Sequence, residues 1–179
     1  MAIIVQYSLI AHVLDALNAF TSSDLDKPNC MEIPEGLQDF DPEATSDMIL
    51  ELKKSLYRLR QSVNLWHRKI SSFLKKLGFR SITADLSIFI NGQGLIIAVY
   101  VDNLLIIGKE LAEINNLKAK LKAFHPMKDG GLVNKLLGIQ FDWRKSSIQL
   151  DQRSYAQQIL QEFGMEDCRA ISTPLSPSV

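Results

Sequence analysis

The sequence predicts an α+β domain in which helices pack on one face of an antiparallel sheet, and three observations carry that prediction. First, Leu95 to Ile107 reads LIIAVYVDNLLII, two apolar runs rich in branched residues around a polar pair, which is the signature of a β-hairpin. Its flanks are too apolar for a surface hairpin, so they predict strands covered on at least one face. Second, stretches with apolar residues at helical spacing alternate with the strands. Third, 179 residues of which 46% are hydrophobic suffice for one domain with a real core and are short for two.

The elements follow in order. The opening residues have no clean period and predict a short helix and then a strand ending near Asp15. SSDLDKPNCMEIPEGL carries two prolines and reads as a polar connection, which QDFDPEATSD continues as an exposed acidic loop. Ser62 to Leu77 predicts an amphipathic helix with Leu65, Ile70, Phe73, Leu74 and Leu77 on one face and Arg68, Lys69, Lys75 and Lys76 elsewhere. Gly78 ends it.

SITADLSIFINGQGLIIAVYV then predicts two strands joined by Asn91-Gly92-Gln93-Gly94, the second of them opening the central hairpin. The hairpin's turn is expected at Asp102-Asn103, because both residue types tolerate positive φ. Glu110 to Phe124 reads as a second amphipathic helix, with Leu111, Ile114, Leu117, Leu121 and Phe124 inward and Lys118, Lys120 and Lys122 outward. Ser147 to Leu150 returns as a strand, and Asp151 to Phe163 as a third helix capped by Asp151. Ser172 to Val179, with two prolines and no core residues, reads as a tail.

Composition narrows the function classes. Cys30 and Cys168 stand far apart, with no C-x-x-C spacing and no neighbouring His pair, so they predict neither a disulfide framework nor a zinc site and suit a reducing compartment. The N-terminus is apolar but lacks the basic stretch of a signal peptide, and no uncharged run reaches membrane-spanning length, so an intracellular chain, cytoplasmic or nuclear, is expected. Net charge is formally zero but strongly segregated: residues 1–51 hold ten acidic side chains and one basic, residues 52–84 nine basic and none acidic. Such segregation predicts a basic surface despite the balanced sum, and an ordinary solvated helix face explains the same pattern.

Asp102-Asn103 by itself is a pair of good turn formers, Asp15 a turn or cap residue, and Phe20 a core residue. The four letters Tyr100-Val101-Asp102-Asn103, however, resemble the YVDD box of copia-type retrotransposon reverse transcriptases, with Asn in place of the second Asp. Further matches run in family order over nearly the whole chain. Leu14 to Phe20, LDALNAF, resembles the first catalytic motif, LYRLRQ at Leu56 to Gln61 resembles LYGLKQ, and MKDGGLVNKLLGI resembles the MKDLG and LGI segments that hold the primer end. Arg58 departs from the family's Gly and Val63 from its common Pro. A long cation at position 58 is able either to clash with nucleic acid or to add a phosphate contact.

The resemblance implies a palm-like antiparallel sheet, with residues 1–171 a partial reverse transcriptase domain and 172–179 a tail toward a missing ribonuclease H region. Because the chain begins close to the first catalytic strand, the fingers are expected to be largely missing. Asp15 and Asp102 are the implied catalytic and metal-binding residues, with Asn103 a degenerate third member. Phe20, Gln61 and Tyr100 are the implied nucleotide contacts, the Phe20 ring leaving no room for a 2′-hydroxyl. Arg58, Arg60, Arg68, Lys69, Lys75 and Lys76 are the expected nucleic-acid contacts.

The implied cofactor is Mg²⁺, weakened or lost, and the implied partners are an RNA template, a DNA primer and deoxynucleotides, with no membrane. At an effective dielectric of about 20, a unit charge pair at 4 Å is worth roughly 4 kcal/mol. Each ~1.4 kcal/mol is tenfold in rate, so losing one carboxylate predicts a drop of up to several decades. The sequence therefore predicts a reverse transcriptase fragment, inactive or strongly impaired, with a non-catalytic nucleic-acid-binding remnant using the basic helix as the alternative.

Overall fold

A computed structural model describes residues 2–45 and 47–169. The chain divides into two compact units, residues 2–133 and the stretch from Asn134 onward. The expected tail at 172–179 lies outside the described residues.

In the larger unit, helix α1 (Ala2–Gln6) leads into strand β1 (Ile10–Ala16). The polar connection that follows contains one antiparallel pair, β2 (Cys30–Glu32) with β3 (Ile49–Glu51). Helix α2 (Ser62–Lys76) comes next, then strands β4 (Arg80–Ser81), β5 (Ile88–Ile90), β6 (Ile96–Tyr100) and β7 (Asn103–Gly108). Helix α3 (Leu111–Phe124) and strand β8 (Met127–Leu132) complete the unit. The main sheet has the order β4-β5-β6-β7-β1-β8, with every neighbouring pair antiparallel. This is the expected α+β architecture.

Register explains where the core sits. Val99 pairs with Leu104, Ile97 with Ile106, and Leu14 with Leu104, so these residues share one face of the sheet. Onto that face pack Trp66, Ile70 and Leu74 of α2 and Ile114, Leu117 and Leu121 of α3, forming one buried cluster. Both helices thus cover the same face, as the sequence predicts.

The buried stripe of α2 is Ser62, Trp66, Ile70 and Leu74, so Trp66 is central to it while Leu65 is only half-buried. At the helix end Gly78 has φ +85, and the N–H groups of Gly78 and Phe79 donate to the carbonyls of Lys75 and Leu74, both at 3.0 Å. That pairing closes the last turn as only a left-handed residue readily allows. Gly108 answers a different need, since a Cβ there would lie 2.4 Å from Leu95 Cδ2 and 3.3 Å from Ile114 Cγ1, so a larger residue would have to displace the Leu95 side chain.

Two helix expectations are corrected. Leu111, the first residue of α3, is 45% exposed rather than inward. Lys118 is buried, at 4% exposure, because residues 114, 117, 118 and 121 form the inward stripe and partners wait for its charge. Its Nζ donates to Asp129 Oδ1 at 2.7 Å and meets His12 Nδ1 at 2.6 Å, while Lys122 Nζ donates to Asp129 Oδ2 at 2.8 Å. A buried ammonium persists only with such pairing.

The smaller unit holds β9 (Lys135–Leu136), β10 (Ile139–Trp143) and β11 (Ile148–Asp151) in the order β11-β10-β9, followed by α4 (Arg153–Glu162). Asp151 ends β11 instead of capping the helix. Gln152 occupies the cap position without a side-chain bond, and Asp151 Oδ1 accepts the Arg153 N–H at 3.1 Å.

Candidate active site

Asp15 is the penultimate residue of β1 and stands opposite Asn103, the first residue of β7. Asp102 lies in the two-residue turn Val101-Asp102, which the pair Tyr100 and Asn103 closes. The turn expected at Asp102-Asn103 is therefore displaced by one residue. Val101 bears the consequence with φ +55, a left-handed conformation that strains a β-branched residue.

Two donors hold this turn in place. The Trp66 indole N–H donates to the Val101 carbonyl at 2.7 Å, and the Ala16 N–H donates to the Asp102 carbonyl at 2.8 Å. The second bond joins the residue after Asp15 to Asp102 itself, so the structure brings both acids to one end of the sheet. Asn103 Nδ2 in turn donates to Asp102 Oδ1 at 3.0 Å. The amide thereby occupies a lone pair of the carboxylate beside it.

This end of the sheet offers two carboxylates and one amide, and among the described residues no group of three or more His, Cys, Asp or Glu side chains is assembled. Such a donor set fits a hard divalent cation, which binds through one or two carboxylates and keeps several waters. It lacks the third carboxylate.

The residues expected around a nucleotide divide. Phe20 lies just past β1, mostly buried, with its ring edge-on to the exposed Tyr57 at 4.8 Å between centroids. Gln61 immediately precedes α2, and its carbonyl accepts the Leu65 N–H at 2.9 Å. Tyr100 is 58% exposed at the hairpin's end and shares a groove of about 460 Å³ with Arg60, Val63 and Asn64.

Two clefts beside α2 divide some of the basic residues, with Arg60 lining one and Arg68 and Lys75 the other. Arg58 has φ +72, so the position favours glycine for its backbone conformation, a reason distinct from close approach to nucleic acid. Arg68 and Lys75 line one cleft of about 330 Å³ with His67, Ser71, Ser72 and Ser81. Lys69 points elsewhere: its Nζ donates to the Ser22 carbonyl at 2.5 Å, and burial, then the nearby Lys54, lowers its pKa. Lys76 is exposed and does not line the cleft.

Two residues beside the site, Trp66 and His125, carried no expectation from the sequence, whereas Lys118 was expected outward and is buried. Trp66 was legible only as one step of the 62/66/70/74 spacing, and Lys118 as one of the 114/117/118/121 set. His125 gave no signal, yet it is buried, its ring tilted against that of Trp66 at 4.9 Å between centroids, with Nε2 donating to the Leu17 carbonyl at 2.7 Å.

A profile of the family described as reverse transcriptase (RNA-dependent DNA polymerase) matches residues 1–177. The Retrovirus-related Pol polyprotein from transposon TNT 1-94 of Nicotiana tabacum is 33% identical over 169 residues, covering 91% of this chain and 12% of the polyprotein. The corresponding polyprotein from transposon RE1 of Arabidopsis thaliana is 30% identical over 92% of this chain and 11% of its own length. The Putative transposon Ty5-1 protein YCL074W of Saccharomyces cerevisiae is 30% identical over 92% of this chain and 54% of its own length. No solved structure matches the chain. The chain belongs to the reverse transcriptase family, as a domain of the kind carried by copia-type retrotransposon Pol polyproteins. It spans about an eighth or less of the plant polyproteins that it resembles.

Proposed function

We propose that this chain is the palm-centred part of an RNA-directed DNA polymerase whose catalytic site is strongly impaired by Asn103. The observation that carries the reading is the register that sets Asp15 opposite Asn103 while Ala16 bonds Asp102. In this reading Asp15 and Asp102 hold Mg²⁺, and Phe20, Gln61 and Tyr100 meet the incoming deoxynucleotide against an RNA template and a DNA primer. A bound divalent ion supplies activation of the attacking 3′-hydroxyl and charge stabilisation at the leaving pyrophosphate.

The chain's own groups account for both the retained and the missing parts of that chemistry. Asp15 and Asp102 remain as oxygen donors at neighbouring positions. Asn103 subtracts a charge and also offers its N–H₂ to Asp102 Oδ1, so an oxygen needed for a cation is partly engaged. Both effects lower cation affinity.

Primer extension on an RNA template with Mg²⁺ tests the reading. The expected result is little or no product, with Mn²⁺ binding that is weak, is abolished by Asp15→Ala or Asp102→Ala, and strengthens in Asn103→Asp. Robust synthesis by the unmodified chain that vanishes in Asp102→Ala would overturn the impairment. Mn²⁺ binding indifferent to both alanine variants would overturn the site.

The second reading, a non-catalytic nucleic-acid-binding remnant, draws support from the cleft in which Arg68 and Lys75 converge with three serine hydroxyls. Salt-sensitive RNA binding that persists in Asp15→Ala favours it.

A further inference from the structure

We infer that Trp66 and His125 form an aromatic bracket beneath the candidate site, each fixing the backbone next to one of the two acids and so setting their spacing. The inference rests on the metal-site reading above for its functional meaning, but its geometry stands separately. Trp66, from α2, donates its indole N–H to the carbonyl of Val101, the residue before Asp102. His125, which follows α3, donates Nε2–H to the carbonyl of Leu17, two residues after Asp15.

The two rings lie 4.9 Å apart between centroids, tilted by 56°, and both residues are buried. The two helices that cover one face of the sheet are thereby coupled through one ring contact to the two segments that carry the acids. Leu17 is doubly held, because its own N–H donates to the Pro126 carbonyl at 3.0 Å, adjacent to His125 in the chain.

The chemistry suits each donor to its place. Val101 at φ +55 will relax unless something restrains it, and an indole N–H anchored in packed apolar surroundings is a rigid restraint. A buried indole N–H otherwise needs a partner, so the bond is stabilised from both ends. For His125, donation to a carbonyl requires the proton on Nε2. Burial, opposed by the Leu17 carbonyl and reinforced by the nearby Lys69 charge, lowers its pKa and so favours the neutral ring. Both residues are buried and reach the acids' segments through the carbonyls of Val101 and Leu17, so they are positioning residues.

Hydrogen exchange read by NMR on the full chain tests the bracket, with the Ala16 amide as reporter because it bonds Asp102. In the unmodified protein the Trp66 indole N–H is expected to be as protected as the central sheet amides. In Trp66→Phe and in His125→Phe the Ala16 amide is expected to exchange on the order of tenfold faster while Ile97 and Leu121 hold their rates, the loss of one neutral hydrogen bond. His125→Gln, whose amide can still donate to Leu17, is expected to keep Ala16 closer to the unmodified rate than His125→Phe does.

A freely exchanging Trp66 indole, or an Ala16 rate unchanged in both phenylalanine variants, would refute the bracket. A uniform acceleration of every sheet amide would refute it too, since that is loss of packing alone. Mn²⁺ titration of the same variants reads the functional half: about tenfold weaker binding is expected in Trp66→Phe and His125→Phe. If the unmodified chain binds Mn²⁺ regardless of Asp15, the metal reading fails while the exchange data still decide the bracket.

Discussion

Replacing Lys118 by methionine tests how α3 is held to the sheet. The ammonium donates to Asp129 at 2.7 Å and meets His12 at 2.6 Å, and its side chain is 6% exposed. Removing one partner of a buried pair costs 3–5 kcal/mol when the other is left alone, in the order-of-magnitude range for such pairs. Asp129 is not left alone. Lys122 still donates to Oδ2, the Gly131 N–H to Oδ1 at 3.0 Å, and the carboxylate is partly open to water. The methionine also fills the stem's apolar volume. The expected loss is therefore nearer about 2 kcal/mol, measured by urea denaturation at pH 7.

The pH dependence supplies a second handle. Burial acts to raise the Asp129 pKa, but the hydrogen bonds from Lys118, Lys122 and Gly131 outweigh it and hold the carboxyl well below the usual range. A depressed carboxyl contributes stability that is complete above its unfolded value, near 4, and is lost as pH falls toward the folded value. His12 adds in the same direction: burial, then the Lys118 charge, lowers its pKa, so stability also falls as pH drops below about 6.5. In Lys118→Met both slopes should flatten. Equal acid sensitivity of the variant and the unmodified protein between pH 6 and 3, or a loss below about 0.5 kcal/mol, would refute this account of the cluster.

Arg58→Gly should stabilise the protein by about 1 kcal/mol, because φ +72 is strained for arginine and open to glycine, and thermal denaturation should show a rise of a few degrees. An unchanged or lower melting temperature would mean that the arginine side chain compensates for its backbone. Neutralising Arg68 and Lys75 together should weaken RNA binding and reduce the salt slope by about two phosphate contacts, whereas Lys69→Met should leave the slope unaltered, since Lys69 serves the Ser22 carbonyl. Filter binding across a salt series distinguishes them.

Much of the site was legible because strand pairing follows apolar alternation and because the motif letters stand at strand ends. The hairpin, the helix from Ser62 and its glycine stop follow from that, whereas the expectation that Asp15 meets Asp102 came from the resemblance of the two motifs to the family. The turn's position did not follow, for a specific reason. Pairing Val99 with Leu104, as found, or with Ile106, as a turn at Asp102-Asn103 would require, leaves the same residues facing the helices. A shift of two residues preserves the faces, so hydrophobic pattern cannot choose between the registers.

The linear order of residues by itself determined the class of fold and the placement of its main helices and strands, because periodicity and local turn chemistry act within a few residues of each other; that Asp15 and Asp102 share an edge was implied only by the resemblance of their motifs to the family. Tertiary structure alone decided the strained turn at Val101, the burial of Lys118, and the parting of Lys69 from Arg68 and Lys75. Each of these depends on a partner far away in the chain, Trp66, Asp129 with His12, or Ser22. A buried polar group takes whichever conformation completes its hydrogen bonds, and no short-range pattern announces where that partner will be.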